Sequence, residues 1–200
     1  MIRKIHTVAV IGAGDRGREM AAAALRAGYH TILEDMSQPR LEQAAAALSG
    51  LGEGARSRLV LTSNLEDALR QADLVIEAVA EELEMKIEMF TIFDKFAKPD
   101  AILASSTLSL SIADMASVTF CAERCIGLRF SRSAGGANVL ELVRAPETSQ
   151  ETLVACSEVG RRMGKQVVVL SEVLATSEAV QASEVGTNPR ASQKAAAGQD

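Results

Sequence analysis

The sequence predicts an α/β fold: a doubly wound, mostly parallel sheet with an antiparallel strand addition at its C-terminal edge. Three observations predict it. Short β-branched runs alternate with alanine- or leucine-rich helical stretches through the first part of the chain. A glycine-rich turn follows the first of these runs directly. After Arg124 the alternation stops, and two strand patterns succeed each other with no helix between them. Strand–helix alternation implies parallel strands covered on both faces. Two strands in direct succession imply an antiparallel pair.

Lys4 to Ile11 is rich in β-branched residues and reads as a buried strand. Gly12 to Gly17 forms the turn, and the alanine-rich stretch to Ala27 reads as a helix that Gly28 stops. His30 to Asp35 is a second short strand. Ser37 is placed to cap the next helix, with Pro39 in its first turn and an end near Leu48. Leu51 to Ser57 contains Gly52 and Gly54 and reads as loop. Arg58 to Leu61 is a third strand. Asn64 then caps a short helix, with Asp67 as its capping-box partner. Asp73 to Val79 is an apolar strand. Leu83 to Phe96 is a helix with Leu83, Ile87, Phe90 and Phe93 on one face, ended by Lys98-Pro99-Asp100. Ala101 to Ala104 is a strand, and Ser109 or Ser111 caps a short helix to about Met115. Arg124 to Phe130 and Val139 to Arg144 are the successive strands, Ser149 to Gly164 a helix, and Gln166 to Leu170 the last strand. Residues 1–170 therefore read as one domain. From Ser171 the pattern fades, with one or two helical turns between Ser171 and Val180. Gly186 to Asp200 is Ala, Ser, Gly, Gln and Pro with little to pack, so 171–200 reads as a weakly structured or flexible tail.

The chain has 200 residues and is 48% hydrophobic, enough for a sizeable core. With no Trp and one Tyr, that core must be mostly Ala, Val, Leu and Ile. A formal charge of -5 argues against nucleic acid and anionic membrane surfaces as partners. No apolar run approaches the roughly 20 residues that cross a bilayer. The N-terminus enters a strand pattern within a few residues, which leaves no room for a leader. Cys121, Cys125 and Cys156 are an odd set, and His6 and His30 lie far from them, so neither a disulfide framework nor a metal site is expected. Reducing cytoplasm is the compartment that fits.

Gly12-Ala13-Gly14-Asp15-Arg16-Gly17 is a G-x-G-x-x-G that follows a strand and opens a helix, the Rossmann dinucleotide fingerprint. Gly12 permits the tight turn, Gly14 lets backbone approach a pyrophosphate, and Gly17 lets helix pack on strand. Free N–H groups at the helix start then face the anion. Asp35 stands at the end of the second strand, where a carboxylate accepts from the adenosine ribose. With no basic residue before Arg40, this favours NAD over NADP. Asp15 brings a negative charge into the loop, which Arg16 either offsets or bypasses by contacting phosphate itself. Glu34 reads as solvated.

Val8-Ala-Val-Ile-Gly-Ala-Gly14, Asp73-Leu-Val-Ile-Glu-Ala-Val79, Ala101-Ile-Leu-Ala-Ser-Ser-Thr-Leu-Ser-Leu110 and Ile126-Gly-Leu-Arg-Phe130 occur in this order. Together, over about Ile5 to Leu170, they resemble the NAD-binding domain of the 3-hydroxyacyl-CoA dehydrogenase family. The resemblance implies an oxidoreductase of fatty acid metabolism that passes hydride from the 3-hydroxyl of an acyl-CoA to NAD. It implies a histidine as general base, a glutamate that holds it, and a serine and an asparagine that orient the substrate oxygen. A second, helical domain closes over the acyl-CoA, and the residues after Leu170 are too few to build it. On the cofactor side the resemblance assigns the glycine loop and Asp35, with Ala78 and Val79 as backbone beside the cofactor. It puts Glu81 and Lys86 near the nicotinamide-side ribose, and Ser106 in place of an asparagine at the nicotinamide end. Glu19 stands where the family has a small residue.

The catalytic side departs from the family. Where the family writes Gly-Leu-His-Phe-Phe-Asn-Pro, this chain has Gly127-Leu-Arg129-Phe-Ser-Arg132-Ser133. Arg129 replaces the general base, Leu108 replaces the serine with Ser109 adjacent to it, and the orienting asparagine falls near Ala179. Glu141 is retained, and pairing with Arg129 is expected to satisfy it. The alternative for Arg129 is a solvated strand end. Two readings stay open. One is a cofactor-binding protein without dehydrogenase chemistry: a sensor, a partner subunit or a remnant. The other is an active NAD-dependent dehydrogenase with a changed mechanism, acting on an acyl-CoA or on a small acidic substrate held by Arg129 and Arg132, or needing a partner chain. A homo-oligomer is also open.

Overall fold

Eight of the apolar runs form one sheet in a computed structural model that describes residues 4–132 and 136–172. The strands are β1 (Thr7–Ile11), β2 (His30–Glu34), β3 (Leu59–Thr62), β4 (Leu74–Glu77), β5 (Ile102–Ser105), β6 (Cys125–Arg132), β7 (Asn138–Arg144) and β8 (Gln166–Ser171). Their order across the sheet is β3-β2-β1-β4-β5-β6-β7-β8. β1 to β6 pair in parallel, β7 runs antiparallel to β6, and β8 is parallel to β7. The expected fold class is thus present, with a two-strand addition beyond β6. The chain steps from β1 outward to β3 and then crosses back to β4 on the other side of β1. The carboxyl ends of β1 and β4 are therefore the switch point where open α/β sheets bind ligands.

The helices are α1 (Asp15–Arg26), α2 (Gln38–Leu48), α3 (Glu53–Arg56), α4 (Leu65–Gln71), α5 (Leu83–Phe96), α6 (Ile112–Ala116) and α7 (Gln150–Arg162). Successive strand residues point to opposite faces, which splits the core in two. Val8, Val10, Leu74, Ile76, Leu128 and Leu140 pack against α1, α2, α3 and α7. Ala9, Ile11, Val75 and Leu103 pack against α4, α5 and α6. Alanines of α1 let that helix lie close to the sheet: Ala21 and Ala24 are fully buried beside Met20 and Leu25. Among the described residues no helix is long and apolar enough to cross a membrane.

Local differences from the sequence reading have local causes. β1 begins at Thr7 rather than Lys4 because the Asp73 carboxylate takes the amides of His6 and Thr7, each at 2.9 Å. Leu51 to Ser57 is not plain loop: a 3₁₀ turn (Ser49–Leu51) precedes α3, and Gly52 at φ 82° resets the backbone between them. Ser37 makes no side-chain cap, whereas Asn64, Ser111 and Ser149 accept from Asp67, Asp114 and Thr152 N–H as N-caps do. Ser111, not Ser109, therefore opens α6. Ser171 closes β8, and the Glu172 carboxylate accepts the Ile112 and Ala113 amides (2.8 and 3.0 Å) at the start of α6. The rest of the expected tail, 173–200, lies outside the described residues.

Candidate functional site

The glycine loop joins β1 to α1 at the switch point. Gly12 has φ 107°, and a Cβ there would meet the Ala78 carbonyl oxygen at 2.8 Å. A Cβ on Gly17 would stand 1.8 Å from the Gly12 carbonyl oxygen, so strand end and helix start touch backbone to backbone. Gly14 is the opposite case: nothing lies within 4 Å of its Cβ position, and as N-cap it leaves α1 without a side-chain cap. Open space over uncapped helix amides is what a phosphate needs. Asp15 is exposed and pairs with Arg18 one turn along its own helix, so its charge is offset there and not by Arg16. Glu19 is exposed on α1.

At the end of β2, Asp35 is 7% exposed. Its Oδ2 accepts from the Ala13 amide and its Oδ1 from the Ser37 amide, both at 2.8 Å. One carboxylate thus fixes the glycine loop and the entry to α2 while keeping lone pairs for a ribose. Arg40 reaches it at 3.6 Å, placing the first basic residue after β2 against the carboxylate itself. Glu34 is not solvated, contrary to expectation. The strand pleat turns it to the side opposite Asp35, and it is 4% exposed. Burial first and the Asp35 charge second push its carboxyl up to about 7.

Lys86 and Glu77 form the centre of the next group, and both side chains are fully buried. Lys86 Nζ donates to both Glu77 oxygens at 2.8 Å. Glu77 also accepts from Ser105 Oγ at 2.7 Å and from the Val79 amide at 2.6 Å. Lys86 is therefore closed off from solvent, and its Nζ also lies 3.4 Å from Glu81. Glu81 accepts from the Thr107 hydroxyl (2.6 Å) and the Leu108 amide (2.7 Å). Burial pushes the Glu81 carboxyl up, but those donors and Lys86 outweigh it, so it titrates below its ordinary value. Arg16 crosses from the glycine loop to donate to the Ser106 carbonyl at 3.0 Å, with Glu81 at 3.9 Å. Ser106 itself is fully buried and its hydroxyl has no hydrogen-bond partner. Sequence reasoning missed Glu77, Ser105 and Thr107. The available signal was a charged residue closing an apolar strand and a lysine inside the apolar stripe of the next helix.

At the far end, β6 and β7 set Arg129 opposite Glu141. Arg129 Nε donates to Glu141 Oε2 at 2.5 Å, another guanidinium nitrogen donates to the Leu108 carbonyl, and Ser131 Oγ donates to Glu141 Oε1 at 2.6 Å. The Ser131 hydroxyl first, and Arg129 with it, hold the Glu141 carboxyl below its ordinary value against some burial. The expected Arg129–Glu141 pair is therefore formed. The open alternative of a rim shared by Arg129 and Arg132 is not formed: the pleat sends Arg132 to the other face with Phe130, where Lys165 lies 3.8 Å from the Phe130 ring and feels the Arg132 charge. Leu108 is 54% exposed, and Ser109 offers its amide to Thr107 Oγ1. Ser133 and Ala179 lie outside the described residues.

These residues fit a dinucleotide. The open Gly14 cradle suits a pyrophosphate, Asp35 a ribose, the Ala78–Val79 backbone the middle of the groove, and the unpartnered Ser106 hydroxyl a polar group at the far end.

Comparison with known proteins agrees. Residues 7–173 match the family model described as 3-hydroxyacyl-CoA dehydrogenase, NAD binding domain. The chain is 36% identical over 183 residues to 3-hydroxybutyryl-CoA dehydrogenase of Bradyrhizobium diazoefficiens, covering 84% of this chain and 62% of that protein. It is 30% identical to the mitochondrial hydroxyacyl-coenzyme A dehydrogenase of Sus scrofa, covering 82% of this chain and 58% of that one. The crystal structure of 3-hydroxybutyryl-CoA dehydrogenase from Escherichia coli K12 superposes with a TM-score of 0.78 at 29% identity, over 92% of this chain and 44% of that one. The chain spans about three fifths of the length of these curated relatives.

Proposed function

The chain belongs to the 3-hydroxyacyl-CoA dehydrogenase family through its NAD-binding domain, and from that premise we propose that it holds NAD(H) while the proton-transfer half of the site is replaced, so that hydroxyacyl-CoA oxidation by this chain alone is weak or lost. NAD is the cofactor of the domain, and when bound it supplies the hydride acceptor. The glycine loop takes the pyrophosphate, Asp35 the adenosine ribose, and Glu81 and Ser106 the nicotinamide side. Lys86 acts through Glu77 and Glu81 as a positioning residue.

One observation supports the second half of the reading: Arg129, which the family resemblance puts at the general-base position, is bonded through its guanidinium to Glu141 and the Leu108 carbonyl. A general base must accept a proton at working pH, and arginine stays protonated. Glu141, the family's partner for the missing imidazole, already has both oxygens engaged by Arg129 and Ser131. Leu108 offers a carbonyl and no hydroxyl. The alternative, a dehydrogenase of changed mechanism clamping an acidic substrate between Arg129 and Arg132, draws no support from side chains on opposite faces of β6. Cys121 and Cys125, as free thiols, fit a reducing cytoplasm.

Two measurements test this. Calorimetric titration with NADH is expected to give saturable binding. Acetoacetyl-CoA-dependent NADH oxidation is expected to run at least about a hundredfold below a family dehydrogenase assayed alongside, since general acid–base catalysis contributes about 10²–10⁴-fold. No heat at millimolar NADH removes the cofactor half of the proposal, and turnover near that of the reference enzyme removes the other half.

A further inference from the structure

We propose that Arg16 is a strap across the nicotinamide end of the groove: the closed site takes an adenosine diphosphate moiety as it stands, and takes the whole dinucleotide only once Arg16 lets go. The inference rests on the dinucleotide-binding reading above and adds a ligand preference to it.

The placement of four residues carries it. Asp35 ends β2, on one side of β1. Glu81 and Ser106 follow β4 and β5, on the other side. Gly14 lies between them at the start of α1. A ligand that is anchored at Asp35 and passes over Gly14 toward Ser106 meets the Arg16 guanidinium, which spans the gap from α1 to the Ser106 carbonyl at 3.0 Å. The near half of this path is clear, because nothing apart from its chain neighbours lies within 4 Å of the Gly14 Cβ position. The far half is closed by one long side chain that is 37% exposed.

That side chain is also the releasable part of the far half. Glu81 is fixed by the Thr107 hydroxyl, the Leu108 amide and Lys86. Arg16 has one carbonyl acceptor and a carboxylate 3.9 Å away. Beneath its contact sits Ser106 Oγ, fully buried with no partner, a hydrogen-bonding group still unmet while the strap is closed. A lightly held cation on a residue whose hydroxyl is unmet describes a site whose far half is assembled only when a ligand displaces the cation.

The test compares ADP and NADH as ligands for the parent and for Arg16→Ala, with Arg16→Gln as a second variant and a thermal melt to confirm folding. ADP is used as its β-methyl ester, a diphosphate diester of the same charge as NADH, so loss of the cation weakens both ligands alike and cancels in the ratio of the two dissociation constants. Release of the strap favours NADH alone. The ratio is expected to move about three- to tenfold toward NADH, equivalent to about 0.7–1.4 kcal/mol. A ratio that stays put, or moves toward ADP, in both variants overturns the strap while leaving dinucleotide binding intact. If the parent binds neither ligand, the cofactor reading fails and takes the strap with it.

Discussion

Lys86→Met removes one charge from a pair that solvent does not reach. Both side chains are fully buried, and Lys86 Nζ sits 2.8 Å from each Glu77 oxygen. Methionine matches the length of lysine without its charge, so the change leaves little void. What remains is a buried carboxylate with two neutral donors, Ser105 Oγ and the Val79 amide. Breaking a buried pair from one side costs about 3–5 kcal/mol. The two surviving hydrogen bonds place this case toward the lower end, about 3–4 kcal/mol. For a domain of this size about 1 kcal/mol moves the melting temperature by about 2–4 °C, so a fall of about 6–16 °C is expected. The double variant Glu77→Gln/Lys86→Met removes both charges and is expected to recover most of the loss, because a buried pair is often no better than neutral groups of similar volume. Urea unfolding and thermal melts of the parent, both single variants and the double variant give the coupling energy. A Lys86→Met protein within about 1 kcal/mol of the parent refutes the reasoning, as does a double variant less stable than the single.

Gly14→Ala and Gly17→Ala are expected to separate binding from folding. Gly14 has φ -67° and no neighbour within 4 Å of a Cβ, so its variant should melt near the parent yet lose most NADH affinity; unchanged affinity would count against the cradle. Gly17→Ala drives a Cβ to 1.8 Å from the Gly12 carbonyl and is expected to lose both, as a melting curve and a titration will show. Glu34 gives a pH dependence with a definite sign: its folded carboxyl is raised to about 7 from 4.5, so the stability it contributes is full below pH 4.5 and lost as pH rises through 7. At about 1.4 kcal/mol per pH unit, Glu34→Gln should exceed the parent by about 3 kcal/mol at pH 8 and match it near pH 4; urea midpoints offset equally at both pH values would contradict this.

Much of the architecture was legible because strand and helix periods differ and alternate. The glycine loop and Asp35 could be read as a unit, since their spacing only makes sense around one turn. The Arg129–Glu141 pair could be anticipated from the carboxylate that the family resemblance puts at Glu141. Side-chain facing was harder. Arg129 and Arg132 are three residues apart, and an extended strand puts an odd separation on opposite faces, a parity argument that was available and decides against a shared rim. Lys86 falls at the same helical spacing as Phe90 and Phe93, all three fully buried, so its burial was written in the pattern but masked by its charge. Glu34 could not be placed from its neighbours in sequence, because its burial comes from elements packed over the end of β2. The short α3 depends on Gly52 restarting the backbone, which a glycine-rich stretch signals only as irregularity.

The Glu172 carboxylate binds the first amides of α6, and the segment just before α6 presents the carbonyl of Leu108 to Arg129. The end of β8 is thus tethered, through one short helix, to Arg129. A shortened protein that ended at Leu170 would keep every strand register but the last and still release that tether. Its Arg129 geometry would no longer report on the parent. Any truncation meant to isolate the nucleotide-binding sheet has to run past Glu172, and a tag fused immediately after it loads the site as well as the edge.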